Sequence, residues 1–477
     1  MTAADRGKMS VTTVSLLIVV TTFGLGNVID NLVELGLAAI PSWVLVGFLY
    51  FLPLALILAE FASDTEEAGG IYSYMERGIG PTWAFVGTWS YFVANLVYLQ
   101  SVFSKLPIRA SLAVHGEDVF ESATLLLPLI AVAVCLAATF LSTRGVRVFS
   151  HLSDWVGKGT LLLVGALILL PIGAWAVGLL ESKTVYSAAA LRPSFDLQYF
   201  STFSWLLFAV AGAEVAAPYV RQTRDPKRGF PRAILFSTLL IGALYMLATV
   251  GVTLILPLEE LTKATGLYDI WVPLAELMGL PPELFARACM TFLVAGSIAA
   301  YVIWMESPIR AMFAEVPRDS FPESLTRRDE QGTHHAALWA QAMVVCVLIL
   351  VPLISILTGT QGSESFIALL NDLSSLSLVV PYVFVAWAYI QARRKGMDAP
   401  FKMVRSTPVA IGIGVLVLAV SALGYLGAGL YALMDETVDW IYVGVVYGGP
   451  ILLIFLGLLL RAASRRSLAT RTRTPSA

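Results

Sequence analysis

The chain has 477 residues, 57% hydrophobic and 13% charged, with a formal net charge of −2. Its mean hydropathy of +0.78 excludes a soluble multidomain protein and indicates one polytopic membrane domain over residues 1–477. Cys135, Cys289 and Cys346 all lie in apolar stretches, which excludes a disulfide framework and a metal motif, and no cofactor is expected.

Taken in order, the chain starts with Arg6 and Lys8 before an apolar run too long for a signal-peptide core. No small-residue cleavage pattern follows, so the run is expected to stay as the first span. Twelve spans are expected, at roughly 11–36, 39–63, 82–105, 123–142, 155–180, 200–221, 230–256, 284–307, 336–358, 365–392, 406–433 and 438–461. An even count puts both termini on one side. That side carries 25 of the 31 Lys and Arg residues, which makes it the cytoplasm of a cell membrane. The loop Ser307–His335, with Phe313 and Val316 among charges, is expected on the membrane surface. The end from Arg461, with Arg465, Arg466, Arg471 and Arg473, reads as a basic disordered tail (462–477) held by anionic lipid. No loop resembles a catalytic or nucleic-acid-binding domain, no phosphate-binding loop or nucleophile constellation is present, and an enzyme is not expected.

The first span is interrupted at its centre by Thr21, Thr22, Phe23, Gly24, Leu25, Gly26, Asn27, Val28, Ile29, Asp30 and Asn31. Glycines free the backbone and polar side chains appear where hydrocarbon should surround the helix, which is tolerable only beside protein or a water-filled cavity. The sixth span is interrupted in the same way, from Phe208 through Ala211, Gly212, Ala213 and Glu214 to Pro218. Paired interruptions in two halves are the pattern of an inverted repeat whose broken helices hold a substrate. The halves are spans one to five (11–180) and six to ten (200–392), with spans eleven and twelve (406–461) added. Small-residue packing is the plainer explanation for any one of these glycines.

Ala59-Glu60-Phe61, Glu66-Glu67-Ala68-Gly69-Gly70-Ile71-Tyr72 and Gly80-Pro81 form an acidic, Gly-Gly-aromatic signature after the second span. Gly212-Ala213-Glu214, Asp225-Pro226-Lys227-Arg228 and Pro231 follow in and after the sixth, and Ser307-Pro308-Ile309-Arg310 follows the eighth. These motifs resemble the amino acid–polyamine–organocation superfamily, and within it the glutamate/γ-aminobutyrate antiporter-like permeases. The resemblance implies an all-α, LeuT-like five-plus-five fold with discontinuous helices 1 and 6, and alternating access. It implies amino acid substrates, moved by exchange or proton-coupled uptake. Those relatives often carry Pro-Thr or Pro-Ser where this chain has Asp30 and Asn31, so its substrate need not be theirs.

An amino acid needs partners for a carboxylate and an ammonium. The N–H groups at Gly24 and Gly26 suit the carboxylate, and the carbonyls from Phe208 to Ala211 suit the ammonium. By resemblance, Phe208 is an aromatic gate and Tyr301 a second aromatic that closes over the ligand. Tyr91, Asn95 and Tyr98 share one face of span three. The expected site is therefore Thr22, Phe23, Gly24, Gly26, Asn27, Asp30, Asn95, Tyr98, Phe208, Ala211, Gly212 and Tyr301, with Glu214 as proton carrier. Asp30, if it faces the cavity, favours a cationic amino acid or polyamine, and Glu34 is expected at the outer mouth. Lys158 is expected to snorkel, Glu60 and Glu306 to pair with arginines, and Asp372 with Asn371 is a further buried candidate. The four histidines all fall outside the middle of spans, against a histidine relay. The expected partners are a small molecule, protons and lipid, in a monomer or homodimer; a channel or a substrate-sensing receptor would need features the sequence does not display.

Overall fold

The computed structural model describes residues 9–64, 70–120, 126–144, 147–212, 223–263, 265–310, 312–313, 316–330, 332–357, 363–430 and 440–471. The first span consists of two helices, α1 (Val11–Thr22) and α2 (Leu25–Leu35). Ser10 starts α1 by accepting the N–H of Thr13 at 3.1 Å, satisfying a donor that a helix start leaves over. Phe23 and Gly24 then run extended, at φ −75° and −123°, before α2 begins.

The second span is α3 (Ala39–Val46) and α4 (Leu52–Asp64), joined by a widened turn at Gly47–Phe51. Helix α5 (Ile71–His115) bends sharply at Gly80, whose φ of 80° suits glycine. Next come α6 (Leu126–Ser142) and α7 (Arg147–Ala176). The sixth span starts as α8 (Leu197–Ala209), capped by Asp196, whose carboxylate accepts the N–H of Tyr199 at 2.8 Å. It stops at Val210, and residues 213–222, including Glu214 and Pro218, lie outside the described set.

Helix α9 (Pro226–Ile255) is followed by a loop holding two short helices, α10 (Gly266–Asp269) and α11 (Trp271–Leu277), then by α12 (Pro282–Arg310). The short helix α13 (Glu323–Thr326) precedes α14 (His335–Leu357), α15 (Ser363–Arg394) and α16 (Thr407–Leu430). The last span is α17 (Trp440–Val443), a widened turn, and α18 (Gly449–Arg471). Each expected span thus has its helical counterpart. Among the described residues, six helical runs are long and apolar enough to cross a membrane: Leu25–Asp64, Gly157–Ala176, Lys227–Ile255, Pro282–Glu306, Ser375–Arg394 and Thr407–Gly427.

In the packed bundle α5 lies along α15 and α12, α1 and α4 lie along α9, and α8 lies along α16. One continuous apolar core runs through all of them. Hydroxyls buried in the spans bond to their own helix one turn back: Thr88 to the carbonyl of Ala84, Ser90 to Val86, Thr139 to Cys135, Ser237 to Ala233 and Thr249 to Tyr245, at 2.6 to 2.8 Å. That is how a hydroxyl lives in hydrocarbon.

Three expectations change. The Ser307–His335 loop does not lie on the membrane surface: Phe313, Val316 and Phe321 are buried, with Phe321 against Phe85 and Trp89 of α5. Its apolar side chains find more apolar contact under the bundle than at an interface. The end from Arg461 is not disordered as far as Arg471, because α18 continues through it; Arg461 is buried over the ring of Phe85 and Arg465 pairs with Asp319 at 3.0 Å. The loop after α9 carries α10 and α11, with Trp271 fully buried, where the expected spans 230–256 and 284–307 leave only a connection.

Candidate functional site

Both broken helices are tied to one side chain, Tyr245 of α9, which is fully buried. Its hydroxyl donates towards the carbonyls of Ala209 at 2.8 Å and Thr22 at 3.0 Å, the ends of α8 and α1. It accepts the N–H of Gly24 and the side-chain amide of Asn27, each at 3.1 Å, at the start of α2. Its ring stacks on Trp43 and touches Phe23, with centroids 4.4 and 4.8 Å away. A broken helix leaves backbone groups without partners, and in this interior a side chain must supply them.

The two interruptions also touch directly. A Cβ on Gly212 would stand 2.5 Å from the hydroxyl oxygen of Thr22, and Gly212 has φ 134°. Gly212 is therefore needed for conformation and for room. The reason expected for Gly24 and Gly26 is different in the fold. Gly24 is extended at a φ open to any residue and Gly26 is helical. What they supply is space, for the Asn27 amide and for Arg109, whose Nη2 lies 3.1 Å from the Cβ position of Gly26.

A cavity of about 210 Å³ opens beside this junction, smaller than the ~300 Å³ and upward typical of drug-sized ligands and matched to a small solute. Thr22, Phe23, Gly24, Gly26, Asn27, Asp30, Tyr98, Phe208 and Tyr301 line it, nine of the expected residues. Asn95 and Ala211 line a second void of about 30 Å³. Tyr98, Phe208 and Trp304 border both, with Tyr98 centred 5.2 Å from each of the other two rings, so an aromatic layer divides the spaces. Gly212 lines neither and acts through its contact with Thr22. Tyr91 lines neither cavity and is buried, and Lys158 is exposed. Asn371 and Asp372 have side chains outside the described set.

Polar atoms here depart from the pattern of Thr88, Ser90, Thr139, Ser237 and Thr249, which bond one turn back. Thr22 Oγ1 and Asn95 Oδ1 are buried without a hydrogen-bond partner among the described residues, while the Tyr301 hydroxyl has Ser297 and Arg109 beside it. An unpartnered buried polar atom costs about 1–3 kcal/mol, which a polar ligand can recover. At the start of α2 the Gly24 N–H is taken by Tyr245 and the Asn27 N–H by the Gly24 carbonyl, and the first turn, which lines the cavity, keeps the positive partial charge of a helix N-terminus. Of the carbonyls expected for an ammonium, Phe208 already accepts from Ala211 and Ala209 from Tyr245.

The charges at the mouth were not foreseen. Lys105 and Arg109 of α5 line the cavity with Asp30, and Lys105 Nζ stands 3.8 Å from Asp30 Oδ2. Tyr98, Ser101, Lys105 and Arg109 recur every three or four residues, so the stripe that selected Asn95 and Tyr98 extends to them. They were passed over as loop cations because span three was ended at residue 105, whereas α5 continues to His115. Glu34, expected at the outer mouth, pairs with Lys263 of the loop after α9 and does not line the cavity. At the opposite end, Glu60 is fully buried and pairs with Arg393 at 3.3 Å. Glu60 also accepts from Tyr389 at 2.8 Å and from the N–H of Met403 at 3.2 Å.

The amino acid permease family model matches residues 9–450. The chain is similar to the aspartate/glutamate permease AcaP of Lactococcus lactis subsp. cremoris, at 27% identity over 97% of this chain and 96% of that one. It is similar to the inner membrane transporter YjeM of Escherichia coli, at 26% identity over 94% and 95%. Among solved structures, MhsT in complex with L-phenylalanine superposes with a TM-score of 0.59 at 15% identity, over 87% of this chain and 98% of that chain. The last likeness carries the fold, which is the LeuT-like arrangement expected from the two broken spans. A membrane bundle with two touching helix breaks, and a family model spanning nearly all of it, lead to one assignment: the chain belongs to the amino acid permease family of secondary transporters.

Proposed function

We propose that the chain moves an amino acid across the cell membrane by alternating access, as an exchanger or with protons. The observation that carries this reading is the cavity at the two helix breaks, where the first turn of α2 lines the wall and the buried Thr22 hydroxyl oxygen has no hydrogen-bond partner among the described residues. Backbone N–H groups at a helix start suit a carboxylate, and the hydroxyls and remaining carbonyls of the sixth span suit an ammonium. AcaP, described as an aspartate/glutamate permease, supports an amino acid as the cargo.

In this reading residues 11–180 and 200–392 are the two repeats, residues 406–461 are additional, and both termini are cytoplasmic. The cavity then faces the exterior, since Lys105, Arg109 and the loop after α9 are on that side. Tyr98, Phe208 and Trp304 form the inner layer that must part for release inward. Glu214 carries the proton. The working unit is a monomer or homodimer in the lipid bilayer.

A second reading, a cationic amino acid or polyamine as cargo, is favoured by Asp30 in the cavity wall. Counterflow into proteoliposomes preloaded with a panel of amino acids and amines decides between the two. Exchange with neutral or acidic amino acids supports the first reading, and exchange confined to cationic amino acids or amines such as putrescine supports the second and overturns the first.

A further inference from the structure

The mouth of the cavity carries more positive than negative charge. Among the described residues lining it, Lys105 and Arg109 are the cations and Asp30 is the carboxylate. Lys105 lies beside Asp30 at 3.8 Å, which leaves that pair close to neutral. Arg109 has no ion-pair partner among the described residues. Its guanidinium instead lies beside the Tyr301 hydroxyl, a neutral partner, and over the first turn of α2, 3.1 Å from the Cβ position of Gly26. This is the same turn that lines the cavity, so a guanidinium and the positive end of a helix adjoin.

A partly buried cation with no counter-ion is costly unless a ligand supplies one. The zwitterionic part of an amino acid adds no net charge and cannot balance Arg109. A cationic side chain or a polyamine would add like charge to a cavity that is already positive, at a cost of the kind that excludes wrong partners. A second carboxylate on the substrate balances the site. The planar fork of arginine is also the side chain that grips a carboxylate through two parallel bonds.

Resting on the amino acid reading above, we infer that this transporter selects amino acids with an acidic side chain, and that Arg109 is the specificity residue that receives the side-chain carboxylate. Gly26 is part of the same device, because a side chain there would crowd the guanidinium, 3.1 Å from its Cβ position. The closeness of Arg109 to the α2 N-terminus places the two carboxylates of the ligand near each other, which suits short acidic side chains. Lys105 holds Asp30 and keeps it from offering a site to a cation.

The test is a thermal-shift and equilibrium-binding series on the purified full chain. The probes are L-aspartate, L-glutamate, L-asparagine, L-glutamine, L-arginine and putrescine, with the wild type, Arg109→Gln and Arg109→Lys. A ligand bound by the folded state raises its melting temperature by mass action. The inference expects aspartate or glutamate to stabilise the wild type. Arg109→Gln should weaken that binding by roughly tenfold or more, as for a lost charge-assisted bond, and bring the amides level with or above the acids. Arg109→Lys keeps the charge without the fork and should fall between.

Wild-type binding of neutral or basic amino acids in preference to acidic ones overturns the inference and leaves amino acid transport standing. Equal loss of acids and amides in Arg109→Gln also overturns it, because Arg109 would then hold the α-carboxylate. Binding of putrescine alone, or of none of the six with no amino acid counterflow, removes the amino acid reading itself. If Arg109→Gln fails to fold, the comparison of acids with amides on the wild type and on Arg109→Lys still decides.

Discussion

The hydroxyl of Tyr245 bonds to the carbonyl of Ala209 at 2.8 Å, linking α9 to the end of α8. The same oxygen serves Thr22, Gly24 and Asn27 of the first broken span. One phenol therefore joins both interruptions to the packed part of the bundle. It fixes the distance between the two half-helix ends that a substrate would bridge.

Tyr245→Phe keeps the ring on Trp43 and removes the hydroxyl alone. Two carbonyls, one N–H and one amide then lose a buried partner, a penalty of about 1–3 kcal/mol for each group left unsatisfied. The variant should melt several degrees lower and transport more slowly. Unchanged melting and unchanged proteoliposome uptake would show that Tyr245 does not hold the breaks together.

Gly24→Ala and Gly212→Ala separate room from conformation. Gly24 is extended, and its new methyl would meet only the movable Asn27 amide at 3.2 Å. Gly212→Ala meets Thr22 at 2.5 Å and must also hold φ 134°, a strain of about 1–3 kcal/mol by itself. Uptake should survive the first substitution in large part and be abolished by the second. Equal effects in the two would count against this account of the breaks.

The Glu60–Arg393 pair is nearly free of solvent, whereas Arg465 and Asp319 are about half exposed. Glu60→Gln leaves the buried Arg393 guanidinium uncompensated and should cost about 3–5 kcal/mol. Asp319→Asn should cost under about 1 kcal/mol, and less in high salt. Chemical or thermal unfolding of both variants in detergent checks the contrast, and a cheap Glu60→Gln would refute it.

If Glu214 is the proton carrier, Glu214→Gln removes the titrating group without changing side-chain size. Uptake measured from acidic to neutral pH should lose most of its pH dependence while transport by exchange persists. A pH profile matching the wild type would move proton coupling to another residue.

The sequence by itself determined the membrane architecture and the place of both breaks. A spanning helix must be about twenty apolar residues long, so any polar, glycine-rich lapse in one stands out in one dimension. Thr22, Asn27 and Asp30 follow from such a lapse, Tyr98 from helical spacing, and Phe208 and Tyr301 from the family resemblance. Only the tertiary structure decided which atoms meet. Tyr245 stands in an unbroken apolar helix, where it reads as packing until α1, α2 and α8 are brought around it. Arg109 lies beyond the expected end of the third span, and only the added turns of α5 and the position of α2 bring it over Gly26. Burial and hydrogen-bond satisfaction are properties of juxtaposed elements, so Thr22, whose hydroxyl lacks a partner among the described residues, and Thr249, whose hydroxyl has one, become distinguishable only in the packed bundle.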